Sequence, residues 1–328
     1  MTTEAPETIR LTRGNHVTAP LLDAMAISSA TLPSIDLEAS RIFYEEALGF
    51  EVAPMGPNRL VVRLGTDHVY EVEKVDEPLE MPILRHNGFQ TRGDAVAEHA
   101  RLSERKEHYG IKKMTKPMVM HGTFGFYFQD RDNNWWECNL AIDGPMDKDL
   151  KDYTDRPDMS AEEARVHFAP GVDILAERIS AYKQEHERED YVPKPAVFQS
   201  IRISHGTLEV NNLQKTRDFY EKVLGFQMMQ QSPVSMMAGL GTEHRYVAVA
   251  SNDPQMEHGM RNRLLFDSEA KLRDAHKTLG ELTEFPIHDL TEPTTDAFGR
   301  LAVEFRDLDN NWWELDYDPK GPPSYYFA

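Results

Sequence analysis

The hexapeptide Asp-Asn-Asn-Trp-Trp-Glu occurs twice in the chain, and it constrains the fold more than any other feature. The first copy runs from Asp132 to Glu137, and the second runs from Asp309 to Glu314. Each copy follows a run in which apolar residues alternate, which is typical of a β-strand, and Asp and Asn favour tight turns. Each copy therefore predicts a β-hairpin whose second strand begins with the two tryptophans.

The second strand of each hairpin carries a glutamate on the same face as a tryptophan. Side chains alternate along a strand, so Trp135 and Glu137 point to one face of the first hairpin. Trp136 and Cys138 point to the other face. A carboxylate among aromatic side chains is unfavourable to bury unless it meets a cation or a metal. This strand face is therefore a candidate functional surface, and an edge glutamate in water is the alternative.

The repeat extends well beyond the hairpin. Segment 43–50, which contains Phe-Tyr-Glu and Leu-Gly-Phe, returns at 219–226, and the Gly-Thr-Asp-His of 65–68 returns as Gly-Thr-Glu-His at 241–244, both 176 residues later. The glutamates of the two hexapeptides are 177 residues apart, so one residue is inserted between these points. A period of this length indicates two duplicated domains of ordinary size rather than a solenoid.

Composition argues against several classes of function. The formal net charge of −19 makes nucleic acid and anionic membranes poor partners. No window approaches the roughly 18 apolar residues that a membrane span requires, and residues 1–19 contain no apolar signal core. The single cysteine, Cys138, cannot form an internal disulfide, which fits a cytoplasmic protein.

Helix and strand signals predict two β-α-β-β-β units in each half of the chain. We therefore predict an α+β fold of tandem duplicated domains, each built from two βαβββ units that form a curled, cup-shaped mixed sheet. The predicted segments are an N-terminal arm (1–22), a first domain (23–142), a helical linker (143–200), a second domain (201–319) and a tail (320–328).

The repeated segments resemble the vicinal oxygen chelate superfamily, which includes glyoxalase I, bleomycin-resistance proteins, methylmalonyl-CoA epimerase and type I extradiol dioxygenases. The resemblance rests on segments 208–210, 219–226, 241–244 and 307–315 with their partners in the first domain. It covers about 24–141 and 203–318, and two tandem domains of this length most resemble the extradiol dioxygenases. In this superfamily, metal ligands come from the first strand of each unit and from the last strand of the second unit.

The resemblance implies a metal site in the second domain that has two of the three expected ligands. His205 matches the first histidine, and Glu314 matches the carboxylate. Asn262 or Arg263 stands where the second histidine is expected, and neither residue is a usual ligand for Fe, Mn or Zn.

The first domain has the complementary set. His86 matches the second histidine and Glu137 matches the carboxylate, whereas Ser29 stands in place of the first histidine. A water, a neighbouring side chain or substrate oxygens would have to complete either site.

The resemblance also implies residues for acid–base chemistry. His68 and His244 occupy the place of a histidine that precedes the second ligand in extradiol dioxygenases, with a loop or capping role as the alternative. Tyr127 lies ten residues before Glu137, where these enzymes have a tyrosine, although a core position is the alternative. His121 precedes the same strand as Tyr127 and could also face the cup.

These residues predict a metal-dependent, extradiol-type ring-cleaving dioxygenase that uses O₂ and acts on a catecholic or related small aromatic. Fe(II) is the expected metal, with Mn(II) or another divalent cation as the alternative. A second hypothesis is an isomerase or lyase reaction in the same cup, with or without metal. A third is a non-enzymatic, antibiotic-sequestering binding protein. Because this fold often pairs, we expect a homo-oligomer.

Overall fold

A computed structural model describes residues 19–120, 123–141, 155 and 196–327. Most of the predicted N-terminal arm and most of the predicted linker lie outside the described residues. The predicted segment boundaries therefore stay a prediction. Among the residues that the structure describes, no helix is long and apolar enough to cross a membrane.

The first half of the chain contains two units of similar secondary structure. Unit 1 consists of β1 (Ala26–Ser34), α1 (Leu37–Ile42), β2 (Glu51–Pro54), β3 (Arg59–Arg63) and β4 (Val69–Lys74). Unit 2 consists of β5 (His86–Thr91), α2 (Ala95–Glu104), α3 (Lys106–Tyr109), β6 (Lys113–Met114), β7 (Met118–Met120), β8 (Thr123–Gln129) and β9 (Trp135–Ala141). Helix α1 continues into a wider π-helical turn, Phe43–Ala47.

The second half repeats this arrangement. Unit 3 consists of β10 (Ser200–Val210), α4 (Leu213–Phe219), β11 (Gln227–Ser232), β12 (Ser235–Gly239) and β13 (Arg245–Ala250). Unit 4 consists of β14 (Asn262–Leu265), α5 (Glu269–Glu281), β15 (Thr294–Thr295), β16 (Leu301–Arg306) and β17 (Trp312–Tyr317). Helix α4 also continues into a π-helical turn, Tyr220–Leu224, and a short 3-10 helix, Pro323–Phe327, follows β17.

Side-chain caps begin the first helix of each half at equivalent places. Asp36 accepts a hydrogen bond from the backbone N–H of Ala39 before α1 (3.1 Å), and Asn212 accepts one from Lys215 before α4 (3.0 Å). Such caps stabilise a helix because they satisfy N–H groups that have no partner in its first turn. The predicted capping of α1 by Asp36 is confirmed.

Buried carboxylates hold the two Asp-Asn-Asn-Trp-Trp turns in place. Asp130 accepts a hydrogen bond from the indole N–H of Trp136 (3.0 Å), and Asp307 accepts the equivalent bond from Trp313 (2.9 Å). Asn133 adopts a left-handed φ of 69°, a conformation that asparagine tolerates in turns. The hairpins β8–β9 and β16–β17 that the hexapeptides predict are confirmed.

Two sheets run through the molecule, and each combines one unit from each half. Sheet 1 has the strand order β15-β16-β17-β14-β1-β4-β3-β2. Sheet 2 has the order β11-β12-β13-β10-β5-β9-β8-β6, and β7 pairs with β8. Units 1 and 4 join through the antiparallel pair β1–β14, and units 2 and 3 join through β5–β10. The prediction of an α+β fold with tandem βαβββ units in mixed sheets is confirmed.

The structure differs in which units share a sheet. The expectation was that the two units of one half would form one sheet. Instead, β1 lies beside β14 and β10 lies beside β5. Strands β1 and β10 are equivalent by duplication, so the local sequence does not determine which of the two partner strands each one joins.

Each half nevertheless has its own hydrophobic core. The core of the first half surrounds Trp136, whose ring lies 5.8 Å from that of Tyr44 and 5.7 Å from that of Phe50. The core of the second half surrounds Trp313, whose ring lies 5.7 Å from that of Tyr220. Each core comes mainly from one half, but Ile203 of β10 packs in the first core and Ile27 of β1 packs in the second, so the cores as well as the shared sheets connect the halves.

Candidate metal centre

Three neighbouring strands of sheet 2 bring two histidines and a glutamate to one face. His205 of β10 lies opposite Gly88 of β5, and Gly88 lies beside Glu137 of β9. His86 is two residues before Gly88 and therefore points to the same face of the sheet. The site thus takes His86 and Glu137 from the first half of the chain and His205 from the second.

These three side chains, called the triad below, lie close enough to share one metal ion. His86 Nε2 lies 2.9 Å from Glu137 Oε2, and His205 Nε2 lies 3.5 Å from the same oxygen. One nitrogen or oxygen atom of each residue lies within 4.8 Å of the other two. Within the described ranges, no other set of three His, Cys, Asp or Glu side chains meets this distance.

The imidazole of His205 occupies space that is open because residue 88 is glycine. A Cβ atom added at Gly88 would lie 2.0 Å from His205 Cε1 and 2.2 Å from His205 Nδ1. Atoms do not approach this closely, so any other residue at position 88 would displace the ring. Gly88 is not among the predicted site residues, although a glycine inside a predicted strand often marks the close approach of another group.

Polar neighbours orient both imidazole rings. His86 Nδ1 lies 2.8 Å from the carbonyl oxygen of Ile83, so the Nδ1–H tautomer would donate there and leave Nε2 as the metal-binding nitrogen. Thr207 Oγ1 lies 3.1 Å from His86 Nε2, and Ser204 Oγ lies 3.0 Å from His205 Nδ1. These contacts restrict both rings to orientations that face Glu137.

Glu137 is buried and ionised. Burial alone would raise the pKa of Glu137, but hydrogen bonds from His205 and His86 hold it well below its usual value. Asn139 contributes a further hydrogen bond from Nδ2 to Glu137 Oε1 (3.3 Å). The carboxylate is therefore negatively charged at neutral pH and available to a cation.

Tyr127 lies beside the triad. It is directly opposite Glu137 in the β8–β9 pair, donates a hydrogen bond to that carboxylate, and has its ring 4.9 Å from the ring of His86. Burial and the negative charge of Glu137 raise the pKa of Tyr127, so its hydroxyl keeps its proton. The catalytic role of Tyr127 stays a prediction, and its position is that of a hydrogen-bond donor.

Glu314 lies in sheet 1, whereas His205 lies in sheet 2. Glu314 accepts hydrogen bonds from Arg263 Nε (2.8 Å) and Arg261 Nε (3.0 Å) instead of meeting a histidine. Ser29 lies opposite Arg263 in the β1–β14 pair. The structure thus corrects the predicted grouping of His205 with Glu314, because each sheet joins units from different halves.

The strand register also identifies the residue of sheet 1 that corresponds to His86. Arg263 holds the position in β14 that Gly88 holds in β5, beside the glutamate of the last strand in each case. Arg261, two residues earlier, therefore corresponds to His86, whereas the sequence offset predicts Asn262 or Arg263. An arginine rather than a histidine occupies this position of sheet 1.

His68 and His244 form a buried stack, and His244 is close enough to His205 of the triad to interact with it electrostatically. Both rings are fully buried, and they stack on each other with centroids 3.6 Å apart and an angle of 6° between their planes. Burial lowers the pKa of His68 to about 3 and holds that of His244 well below its usual value. The geometry does not support the predicted acid–base role for these two residues. His121 lies outside the described residues.

Apolar and aromatic side chains flank the triad. On one side, β11, β12 and β13 contribute Met229, Met237 and Val247, which pack together. On the other side, β8 and β9 contribute Tyr127 and Trp135, which share a second apolar group. The triad therefore lies between a thioether and aliphatic wall and an aromatic wall on one face of sheet 2.

A cleft adjoins His86 where the two halves meet. Its lining combines Met81 and Met256 with the polar groups of Thr207 and Asn262. Small-molecule sites often form where two domains meet in this way.

The donor set fits a divalent cation. Two imidazoles and one carboxylate on one face form the set that non-haem iron(II) enzymes use, and imidazole also binds Zn, Cu and Ni. Glu137 has no lysine or arginine partner among the described residues, so a metal ion would not compete with a cationic side chain for it.

Comparison with known proteins agrees with this fold. The family model described as "Glyoxalase/Bleomycin resistance protein/Dioxygenase superfamily" matches residues 26–138 and 202–315. A proposed dioxygenase from Bacillus subtilis has a TM-score of 0.55 at 13% identity, over 92% of this chain and 87% of that one. Glyoxalase I from Zea mays has a TM-score of 0.51 at 14% identity, over 90% of this chain and 92% of that one. These identities indicate the fold alone, and no curated protein matches the chain.

Proposed function

Because the chain belongs to the Glyoxalase/Bleomycin resistance protein/Dioxygenase superfamily, we propose that its triad binds one Fe(II) ion and that the protein is an extradiol-type ring-cleaving dioxygenase. The proposed substrate is a catechol or related small aromatic, with O₂ as the second substrate. The observation that carries the proposal is the approach of His86, Glu137 and His205 to within 4.8 Å of one another. Mn(II) or another divalent cation is the alternative metal.

In this proposal, His86 and His205 hold the ion through neutral nitrogens and Glu137 holds it through a carboxylate oxygen. The bound ion would supply the Lewis acidity and the redox chemistry that ring cleavage by O₂ requires. A ligand carboxylate must be ionised, and in the metal-free site the two histidines that would share the ion with Glu137 keep it so. The neighbours of the two rings, Ile83 and Ser204, would keep them oriented when the ion exchanges.

The side chains around the triad would position a flat substrate. Tyr127 keeps its proton, and its hydroxyl, which donates to Glu137, would become available to donate to a substrate oxygen once a metal ion takes that carboxylate. The indole of Trp135 is fixed by its N–H, which donates to the carbonyl oxygen of Met81 (3.0 Å). Met237 and Val247 form the opposite apolar wall. An aromatic ring gains favourable contacts on both of its faces from such walls.

Ring cleavage of a catechol also needs a base with a pKa near neutrality, which is a common task of histidine. His68 and His244 are enclosed and do not fit this task. His121 stays the candidate for it. A cytoplasmic location and a homo-oligomeric state stay predictions.

The test measures metal content and O₂ uptake in three proteins purified without chelator. Wild type and Glu314→Gln should each carry close to one Fe or Mn per chain, whereas Glu137→Gln should carry none. Glu314→Gln is the matched control, because it makes the same change at the equivalent glutamate of sheet 1. Catechol-dependent O₂ uptake should follow the metal content.

Other outcomes would replace the proposal. A metal-loaded protein without O₂ uptake on any catechol would favour an isomerase or lyase of the same superfamily. A protein that contains no divalent metal as purified, and takes up none when it is supplied, would favour the small-molecule-binding alternative.

A further inference from the structure

Sheet 1 contains the counterpart of the triad, with large and small residues exchanged. In sheet 2, the bulky His205 lies opposite Gly88. In sheet 1, the small Ser29 lies opposite Arg263. In sheet 2 the large side chain is on β10, whereas in sheet 1 it is on β14, the counterpart of β5. In both sheets it lies beside the glutamate of the last strand.

Two arginines contact Glu314 in the way that two histidines contact Glu137. Arg261, the counterpart of His86, donates from Nε to Glu314 Oε2 (3.0 Å), and Arg263 donates from Nε to Oε1 (2.8 Å). Burial would raise the pKa of Glu314, but Arg263 and Arg261 hold it below its usual value. Two guanidinium groups also carry the same total charge as one divalent metal ion.

Further ion pairs connect this site to the other half of the chain. Arg263 Nη1 lies 2.6 Å from Glu71 Oε2, and Arg300 Nη1 lies 2.6 Å from Glu71 Oε1. Arg261 Nη2 lies 3.1 Å from Glu73 Oε1. The group, called the ion-pair cluster below, comprises Arg59, Arg261, Arg263 and Arg300 with Glu71, Glu73, Asp296, Glu304 and Glu314.

The centre of the cluster is closed to solvent. The side chains of Arg263 and Glu71 have no exposed area. The ring of Phe298 lies 5.1 Å from the guanidinium carbon of Arg59 and 5.8 Å from that of Arg300. Phe298 packs in one apolar group with aromatic residues of the C-terminal segment 323–327. A charged group that is enclosed in this way is stable only while its partners remain in place.

We propose that the ion-pair cluster is a structural centre that takes the place of a metal ion in sheet 1 and joins the two halves without metal. The chain then carries one metal centre, at the triad. The proposal rests on the proposed function only for the presence of a metal at the triad, and not for the reaction.

The first test is the metal stoichiometry of chelator-treated protein titrated with Co(II). Wild type and Glu314→Gln should bind one ion per chain, and Glu137→Gln should bind none. Two ions in wild type, one of which is lost in Glu314→Gln, would overturn the proposal. Failure of wild type to bind any ion would count against the metal at the triad, and the stability test below then decides the role of the cluster.

The second test rebuilds the metal site in sheet 1. The triple variant Ser29→His, Arg261→His and Arg263→Gly copies the triad arrangement onto β1 and β14 and keeps Glu314. It should bind a second Co(II) ion, with a d–d absorption band that disappears when Glu314→Gln is added. A folded triple variant that binds only one ion would contradict the replacement of a metal by the arginines.

The third test uses metal-free protein, so that it does not depend on the triad or on the graft. Arg263→Met should lower Tm by several degrees in excess chelator, because it removes the fully buried cation that Glu71 and Glu314 share and leaves Glu71 to Arg300 and Glu314 to Arg261. Arg273→Met is the matched control, because among the described residues Arg273 pairs with Glu269 alone, on the surface of α5. Equal Tm values for the two variants would overturn the proposal.

Discussion

At the scale of single residues, the lack of a side chain at Gly88 lets His205 reach the triad. We expect Gly88→Ala to weaken metal binding by about 10- to 100-fold, as loss of ligand orientation does in metal sites. The physical reason is that the added methyl would lie 2.0 Å from His205 Cε1, so the ring must turn away from Glu137. Competition of a fluorescent chelator with the protein for Co(II) measures the change.

Gly280→Ala is the control for this prediction. Gly280 lies in α5, and an added Cβ there would meet only Leu290 Cδ2 at 3.8 Å, an ordinary contact. This variant should bind metal as wild type does and gain about 1 kcal/mol of stability from the better helix former. If Gly88→Ala also binds metal as tightly as wild type, His205 is not a ligand.

The residue types of the candidate site could be predicted from the sequence, but their grouping could not. His86, Glu137 and His205 match ligand positions of the superfamily one at a time. Glu314 matches equally well, because the contacts that occupy it come from arginines whose side chains reach it only in the folded sheet. A sequence alone does not show which arginine will pair with a buried glutamate. A glycine inside a predicted strand, such as Gly88, does indicate that another group approaches closely.

At the scale of elements, the repeated hairpins and the first helix cap follow from local chemistry and could be predicted. Turn residues such as Asn133 and the cap residue Asp36 act within a few positions of themselves. The joining of β1 to β14 and of β5 to β10 could not be predicted, because these pairings depend on how two similar halves pack. The distribution of the triad over both halves follows from that packing alone.

Arg85, the residue before β5, anchors the start of that strand in the other half. Its Nε lies 3.2 Å from Glu209 Oε2, and its Nη1 lies 3.3 Å from Asn311 Oδ1. The next residue is His86, a member of the triad, so the anchor fixes the position from which that imidazole projects. Sheet 1 has Met260 in the corresponding place, before Arg261.

We expect Arg85→Met to weaken metal binding by about tenfold and to lower the free energy of unfolding by roughly 3 kcal/mol, because Glu209 is left buried without its partner. The double variant Arg85→Met with Glu209→Met should recover stability but not metal affinity. Urea unfolding and Co(II) titration separate the two effects. Recovery of both quantities in the double variant would mean that the ion pair stabilises the fold without positioning His86.

At the scale of the whole molecule, three of the contacts between the two halves differ in their chemistry. The triad joins them through histidine–carboxylate contacts, and the ion-pair cluster joins them through arginines. Between the halves, His68 of the first and His244 of the second stack on each other. The triad should respond to metal, the ion-pair cluster to salt and the histidine stack to pH. The effects of these three conditions on stability should therefore be separable.

The histidine stack predicts how stability changes with acidity. The pKa of folded His68 is about 3, below its ordinary value of 6.5, because burial disfavours the charged ring. The folded state therefore binds this proton less tightly than the unfolded state, and stability is lost as pH falls from about 6.5 towards 3. At pH 5 the loss from His68 alone is about 2 kcal/mol, since each pKa unit corresponds to about 1.4 kcal/mol. His244, whose pKa is also lowered, adds to this loss.

We therefore expect the double variant His68→Phe with His244→Phe to lose at least about 2 kcal/mol less stability than wild type between pH 7 and pH 5. The phenyl rings keep an aromatic stack between the halves but cannot take up a proton. His108→Phe is the control, because the side chain of His108 is 62% exposed and its replacement should leave the pH dependence unchanged. Urea unfolding of chelator-treated protein at the two pH values measures the difference without a contribution from metal release. If the double variant and wild type lose the same stability, acid sensitivity arises elsewhere, and the stack serves only to pack the halves together.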